Sequence, residues 1–177
     1  MAKNPIKLAE DEIEKLNDFD VDFEDDTLEE GEEGYEIHDL SLSENLNTHN
    51  KTKSNLCGNI LRLESGFSKV SLQTIPDMAV DEFGLVHSGF IFGSAEFAAV
   101  SAVNEENVVV IGSRVKFFAP AKVGDLVEFE AKAKFEDSRK REIKVIGKIN
   151  EIKVFEGVFQ AVVLENHILK TRLKDLA

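Results

Sequence analysis

Fourteen consecutive residues, Phe90–Val103, are apolar or small except at Ser94, Glu96 and Ser101. The run is too long for an ordinary strand, and as a helix it is hydrophobic around nearly its whole circumference, so it must be surrounded by other elements. A chain of 177 residues supplies one core of ordinary size and no second full domain. The rest of the fold therefore has to wrap this helix. Glu96 is the anomaly within it, because a carboxylate in a buried helix needs either a partner or a chemical task.

The wrapping elements read as strands. Asn59–Leu63 and Phe67–Ile75 flank Glu64-Ser65-Gly66, a turn of hairpin length. Four more strand-like stretches follow the helix: Asn107–Phe118, Asp125–Phe135, Arg141–Ile149 and Lys153–Leu164. In the second of these, Val127, Phe129, Ala131, Ala133 and Phe135 alternate with Glu128, Glu130, Lys132 and Lys134, the mark of an antiparallel sheet with one solvated face. Pro120 and Gly124 punctuate one connection, and Glu136-Asp137-Ser138-Arg139 forms a polar turn. The expected class is α+β, with one long buried helix wrapped by a curved antiparallel sheet of about six strands.

Charge divides the chain. Residues 1–50 hold 17 acidic residues against 3 lysines, so the net charge of −13 sits in this stretch and residues 51–177 are nearly neutral. Asn4-Pro5 reads as a cap and first turn for a short helix over residues 5–16, with Ile6, Ala9, Ile13 and Leu16 on one face. Beyond it the acidic tail is read either as largely disordered or as docking on a protein partner through Phe19, Phe23 and Tyr35. Residues 41–54 read as a linker and 51–177 as the folded domain. The acidic tail, with no basic stripe elsewhere, excludes nucleic acid as a partner. The absence of a long apolar run or basic leader predicts a cytoplasmic protein without a membrane association. Cys57 is the only cysteine, so neither an internal disulfide nor a cysteine-based metal site is expected.

Asp81-x-x-Gly84-x-x-His87-Ser88-Gly89 resembles the Asn-x-x-Gly-x-x-His-Gly-Gly loop of the hot-dog-fold acyl-CoA thioesterase superfamily. Phe118-Ala119-Pro120-Ala121-Lys122-Val123-Gly124-Asp125 resembles its second signature. Within the superfamily, Ile91–Val100 and Val154–Phe159 are similar to the effector domain of the fatty acid and phospholipid biosynthesis repressors, which binds malonyl-CoA. The resemblance implies a hot-dog domain assembled as a homodimer. It also implies a coenzyme A thioester as ligand or substrate, with no other cofactor.

The same resemblance supplies candidate site residues. The Ser88 or Gly89 N–H would hold the thioester carbonyl, and Glu96 would act as nucleophile or general base, with Asp81 and His87 as further catalytic candidates. Phe90, Phe92 and Phe117 would line an acyl pocket, and Arg114, Lys116 and Lys122 would meet coenzyme A phosphates. Glu96 stands where the repressors carry Asn, while Asp81 stands where the superfamily carries Asn. Two functions stay open: an acyl-CoA sensor, non-catalytic or weakly catalytic and acting through protein partners, and a thioesterase that uses Glu96.

Overall fold

The structure, a computed structural model, describes residues 45–135 and 139–170. The helix expected over 5–16, the acidic tail before residue 45 and residues 136–138 of the polar turn lie outside the described residues. A four-residue helix, α1 (Ser54–Cys57), leads into the hairpin β1 (Asn59–Glu64) and β2 (Phe67–Gln73). After a 3₁₀ turn at Pro76–Met78 comes the long helix α2 (Ser88–Val103). It is followed by β3 (Val108–Phe117), β4 (Leu126–Phe135), β5 (Lys140–Ile149) and β6 (Ile152–Val163).

All six strands form one antiparallel sheet in the order β1-β2-β4-β5-β6-β3. The helix packs across β2, β4 and β5, as a hot-dog fold requires. Ala95, Ala98, Ala99 and Ala102 are fully buried, and their small side chains bring the helix backbone close to the sheet. The Ser68 hydroxyl on β2 donates to the Ala98 carbonyl at 2.7 Å and ties the two layers together. Against the helix lie Val70, Leu72, Val127, Phe129, Ile143, Val145, Phe155 and Phe159, all with no exposed surface. Gly147 pairs with Phe129 on β4 and with Phe155 on β6, and the Phe129 ring and Phe155 Cβ fill the space a side chain there would take.

Most strand ends fall within one residue of expectation, and two boundaries differ by two residues. The helix begins two residues earlier, at Ser88, because His87 caps it. β2 stops at Gln73 because Thr74 turns to the β4 entry, its hydroxyl lying 2.8 Å from both the Lys122 and Asp125 carbonyls, which share its one proton. At the far end of the helix, Asn104 adopts the left-handed conformation with φ 53° and its N–H donates to the Val100 carbonyl. Its side chain accepts from the Asn47 N–H at 2.7 Å and donates to the Asn45 carbonyl at 2.9 Å. Leu46 packs on the core and Thr48 is buried beside it.

Candidate functional site

The loop between β2 and α2 is a built structure. Asp81 Oδ1 accepts hydrogen bonds from the backbone N–H groups of Phe83, at 3.0 Å, and Leu85, at 3.1 Å. Gly84 takes φ 81°, a conformation that favours glycine, and its carbonyl accepts the Val123 N–H at 2.8 Å. Val86 N–H donates to the Ala121 carbonyl and His87 N–H to the Met78 carbonyl, each at 2.9 Å. The two motifs legible in the sequence, 81–89 and 118–125, thus clasp one another.

This clasp aims the start of α2. His87 Nδ1 accepts the Gly89 N–H at 2.9 Å, and the His87 carbonyl accepts the Phe90 N–H at 3.0 Å. Nδ1 is therefore bare of a proton and the ring carries its hydrogen on Nε2. Of the two expected carbonyl donors, Gly89 is already engaged. Ser88 N–H is left without a hydrogen-bond partner among the described residues, as a first-turn N–H ordinarily is.

Ser88 borders a cavity of about 430 Å³ lined by Val80, Leu85, Val86, His87, Ile91 and the segment Phe117–Ala121. Mostly apolar walls beside the first residue of a helix suit a carbonyl carried on an apolar chain, and the helix terminus favours negative charge developing there. Phe117 lines the cavity and stacks edge-on against Phe155 at 5.3 Å. The other two phenylalanines expected there lie elsewhere. Phe92 packs on Phe159 at 5.6 Å, and Phe90 meets the His87 ring edge-on at 6.3 Å.

Glu96 is half-buried two turns along the helix and does not line the cavity. Burial pushes its carboxyl above the ordinary glutamate value. Its neighbour is α1, which packs on α2. The Cys57 thiol is pushed up by its own burial and then by the Glu96 charge. Asp81 has no part in the Glu96 shift, and its carboxylate oxygen holds the loop instead. Within one chain, then, the structure joins Ser88, His87 and Phe117 at one cavity and leaves Glu96 outside it.

Among the basic candidates, Lys122 N–H donates to Asp125 Oδ2 at 2.9 Å and its residue bridges to Leu85 in the clasp. Arg114 and Lys116 lie on β3, both exposed, with the Lys116 ammonium over the Phe118 ring at 5.2 Å. Sequence reasoning missed Lys153, whose ammonium lies over the same ring at 4.8 Å. It opens a strand 35 residues beyond Phe118, and only the β3–β6 pairing brings them together.

A model of the thioesterase superfamily matches residues 83–139, which hold most of the clasp, α2, β3 and β4. Among solved structures, Cj0977, a sigma28-regulated virulence protein from Campylobacter jejuni, is 39% identical with a TM-score of 0.71. That match covers 72% of this chain and 91% of the other. A methylthioribose-1-phosphate isomerase of Aquifex aeolicus is 40% identical over 119 residues, which are 67% of this chain and 26% of that protein. The transcription factor FapR of Caldanaerobacter subterraneus is 29% identical over 116 residues, 65% of this chain and 58% of the factor. The chain thus spans about a quarter and under two thirds, respectively, of these two curated relatives.

Proposed function

The chain belongs to the thioesterase superfamily of hot-dog proteins, and from that membership we propose that it binds an acyl-coenzyme A thioester and acts first as a sensor. The observation that carries this reading is the cavity at the start of α2. It has mostly apolar walls and Ser88, the first residue of α2, on its lining, while Glu96, the carboxylate that hydrolysis would need, is not among its lining residues. The thioester carbonyl accepts the Ser88 N–H and the acyl chain lies against Ile91 and Phe117. Binding of this kind needs no general base. The likeness to FapR, a transcription factor, supports a sensing role, with the signal passed to a protein partner through the acidic tail.

The working form is a homodimer. Among the described residues β3 pairs with β6 and stands at the edge of the sheet, and it exposes Ile111 at 58% and Phe117 at 45%. A ten-residue edge of this kind is a ready template for pairing with another strand, and in a symmetric dimer the partner is its own copy. Light scattering of the wild type and of Ile111→Lys tests it. The wild type should run as a dimer and the variant should shift toward monomer; a wild-type monomer would refute it.

One observation favours a second reading, thioester hydrolysis. Burial holds Glu96 in a range nearer neutrality, where a carboxyl is better poised to exchange protons with water. A second copy would have to bring its own Glu96 to the cavity of the first. The carboxylate would then take a proton from water as its oxygen attacks the carbonyl, Ser88 N–H would hold the oxyanion, and the thiolate would leave with that proton.

Titrating an acyl-CoA series from acetyl to palmitoyl against wild type and Glu96→Gln decides between the readings. Thermal stabilisation reports binding, about 2.7 kcal/mol at a hundredfold excess over Kd, and free-thiol assay reports hydrolysis. Stabilisation without thiol release is the expected result. Release abolished by Glu96→Gln would establish the enzyme instead, and no stabilisation by any member would overturn the ligand class.

A further inference from the structure

No lysine or arginine lines the cavity at the start of α2, and nine of its eleven lining residues are apolar. The two polar ones, His87 and Ser88, are uncharged. His87 Nδ1 accepts the Gly89 N–H at 2.9 Å, so the ring meets the cavity as a neutral group with one N–H. The backbone of the wall adds little, because the N–H groups of Val80, Val86, His87 and Phe118 are bonded to carbonyls within the fold. Val86, Ile91 and Ala121 are almost fully buried. A charged group resting against them gives up its water and receives no cation in exchange, which is costly.

The cations of the neighbourhood do not repair this. Lys153 and Lys116 stand over the Phe118 ring at 4.8 Å and 5.2 Å, yet neither residue lines the cavity. The Lys153 ammonium is held by Glu156 Oε2 at 2.8 Å. Arg114 lies on β3, two residues before Lys116, and is not part of the lining either. On the other side of the cavity, the loop that contributes Val80 and Leu85 carries Asp81 and Glu82 between them, both exposed. A carboxylate entering past this loop meets like charge before it meets the apolar wall.

We infer that the cavity selects uncharged acyl groups and rejects those that end in a carboxylate, with the apolar wall as the determinant of specificity. The inference rests on the acyl-coenzyme A reading and narrows its ligand class. It also separates this chain from the repressors it resembles, whose effector domain takes malonyl-CoA. The likeness along α2 and β6 extends to the fold, and the charge of the acyl group is set by the walls.

Malonyl-CoA and isovaleryl-CoA form a matched pair for the test, since a carboxylate and an isopropyl group have the same number of non-hydrogen atoms and the remainder is identical. Calorimetric titration of the full chain should show isovaleryl-CoA bound at least about tenfold more tightly, a modest scale for an unpaired buried carboxylate. The chain has a net charge of −13, which itself repels the extra charge of malonyl-CoA at a distance. At about 1 M salt the screening length falls to about 3 Å, so a preference made by that field disappears and one made by the wall persists. Val80 lines the cavity and is 50% exposed, so it tolerates a long side chain. Val80→Arg adds a cation to the wall and should move the affinity ratio toward malonyl-CoA by about tenfold. Malonyl-CoA bound as tightly as isovaleryl-CoA, a preference lost in salt, or a ratio unmoved by Val80→Arg overturns the inference and leaves acyl-coenzyme A binding in place. Binding of neither ester overturns the acyl-coenzyme A reading and the inference with it. Should Val80→Arg not fold, the wild-type ratio in low and high salt decides alone.

Discussion

Gly147→Ala is the sharpest test of how the core is packed behind the cavity. A methyl group at this position would sit 2.8 Å from Phe129 Cε1, 3.0 Å from Phe129 Cδ1 and 3.0 Å from Phe155 Cβ. The Phe129 ring cannot simply swing away, because it is fully buried and stacked edge-on against Phe155 at 6.1 Å. Overpacking of one methylene-sized group in a rigid core costs about 1–3 kcal/mol. For a domain of this size each kcal/mol lowers Tm by roughly 3–6 °C, so a fall on the order of 3–18 °C is expected. Urea unfolding should show a lower midpoint at unchanged slope. Phe129→Leu frees space on the same spot, so the double variant should lose less than the two single losses added together. An unchanged or higher midpoint for Gly147→Ala, or strict additivity in the pair, would refute the packing argument. Because Phe155 also stacks on Phe117, the variant should weaken binding in the cavity as well.

Asp81→Asn keeps the Oδ1 acceptor and should leave stability within about 0.5 kcal/mol of wild type, whereas Asp81→Leu loses two exposed loop hydrogen bonds and should cost about 1 kcal/mol by urea titration. Equal effects would remove Asp81 as the loop's organiser. Glu96 predicts a pH dependence of definite sign. Its folded carboxyl is raised above 4.5, so the folded chain keeps a proton the unfolded chain has lost. The stabilising contribution is complete below the unfolded value and is lost as pH rises through the folded one. Glu96→Gln should therefore gain on wild type between pH 4 and pH 8 in urea midpoints, and a constant difference would show that burial does not govern the group.

Much of the architecture was readable because it rests on periodicity. The alternation in Leu126–Phe135 and the all-round apolarity of Phe90–Val103 are consequences of facing one core, and the structure repeats both. Short-range signals were weaker. α1 has four residues and no apolar repeat, so nothing in Ser54–Cys57 announced a helix that packs beside Glu96. The 81–89 motif located the loop but not how its groups are used. An Asp followed three residues later by Gly already suggests a side chain bonding to its own loop, and that signal could have been taken further. Lys153 was invisible beside Phe118 for a different reason. Its neighbourhood is created by the pairing of β3 with β6 and by the Phe118 N–H on the Val154 carbonyl, neither of which a linear pattern encodes.

The clamp at Asn104 sets where the domain can be handled. α2 has sixteen residues and is about 24 Å long. Asn104 closes the end opposite Ser88, so the place where the chain enters at Asn45 and the place where the cavity opens stand a helix length apart. A reporter or affinity tag fused ahead of Asn45 thus attaches behind the site and leaves its mouth clear. A cut at residue 50 is a different operation, because it also removes Leu46, Thr48 and the two asparagines that finish the last turn of the helix.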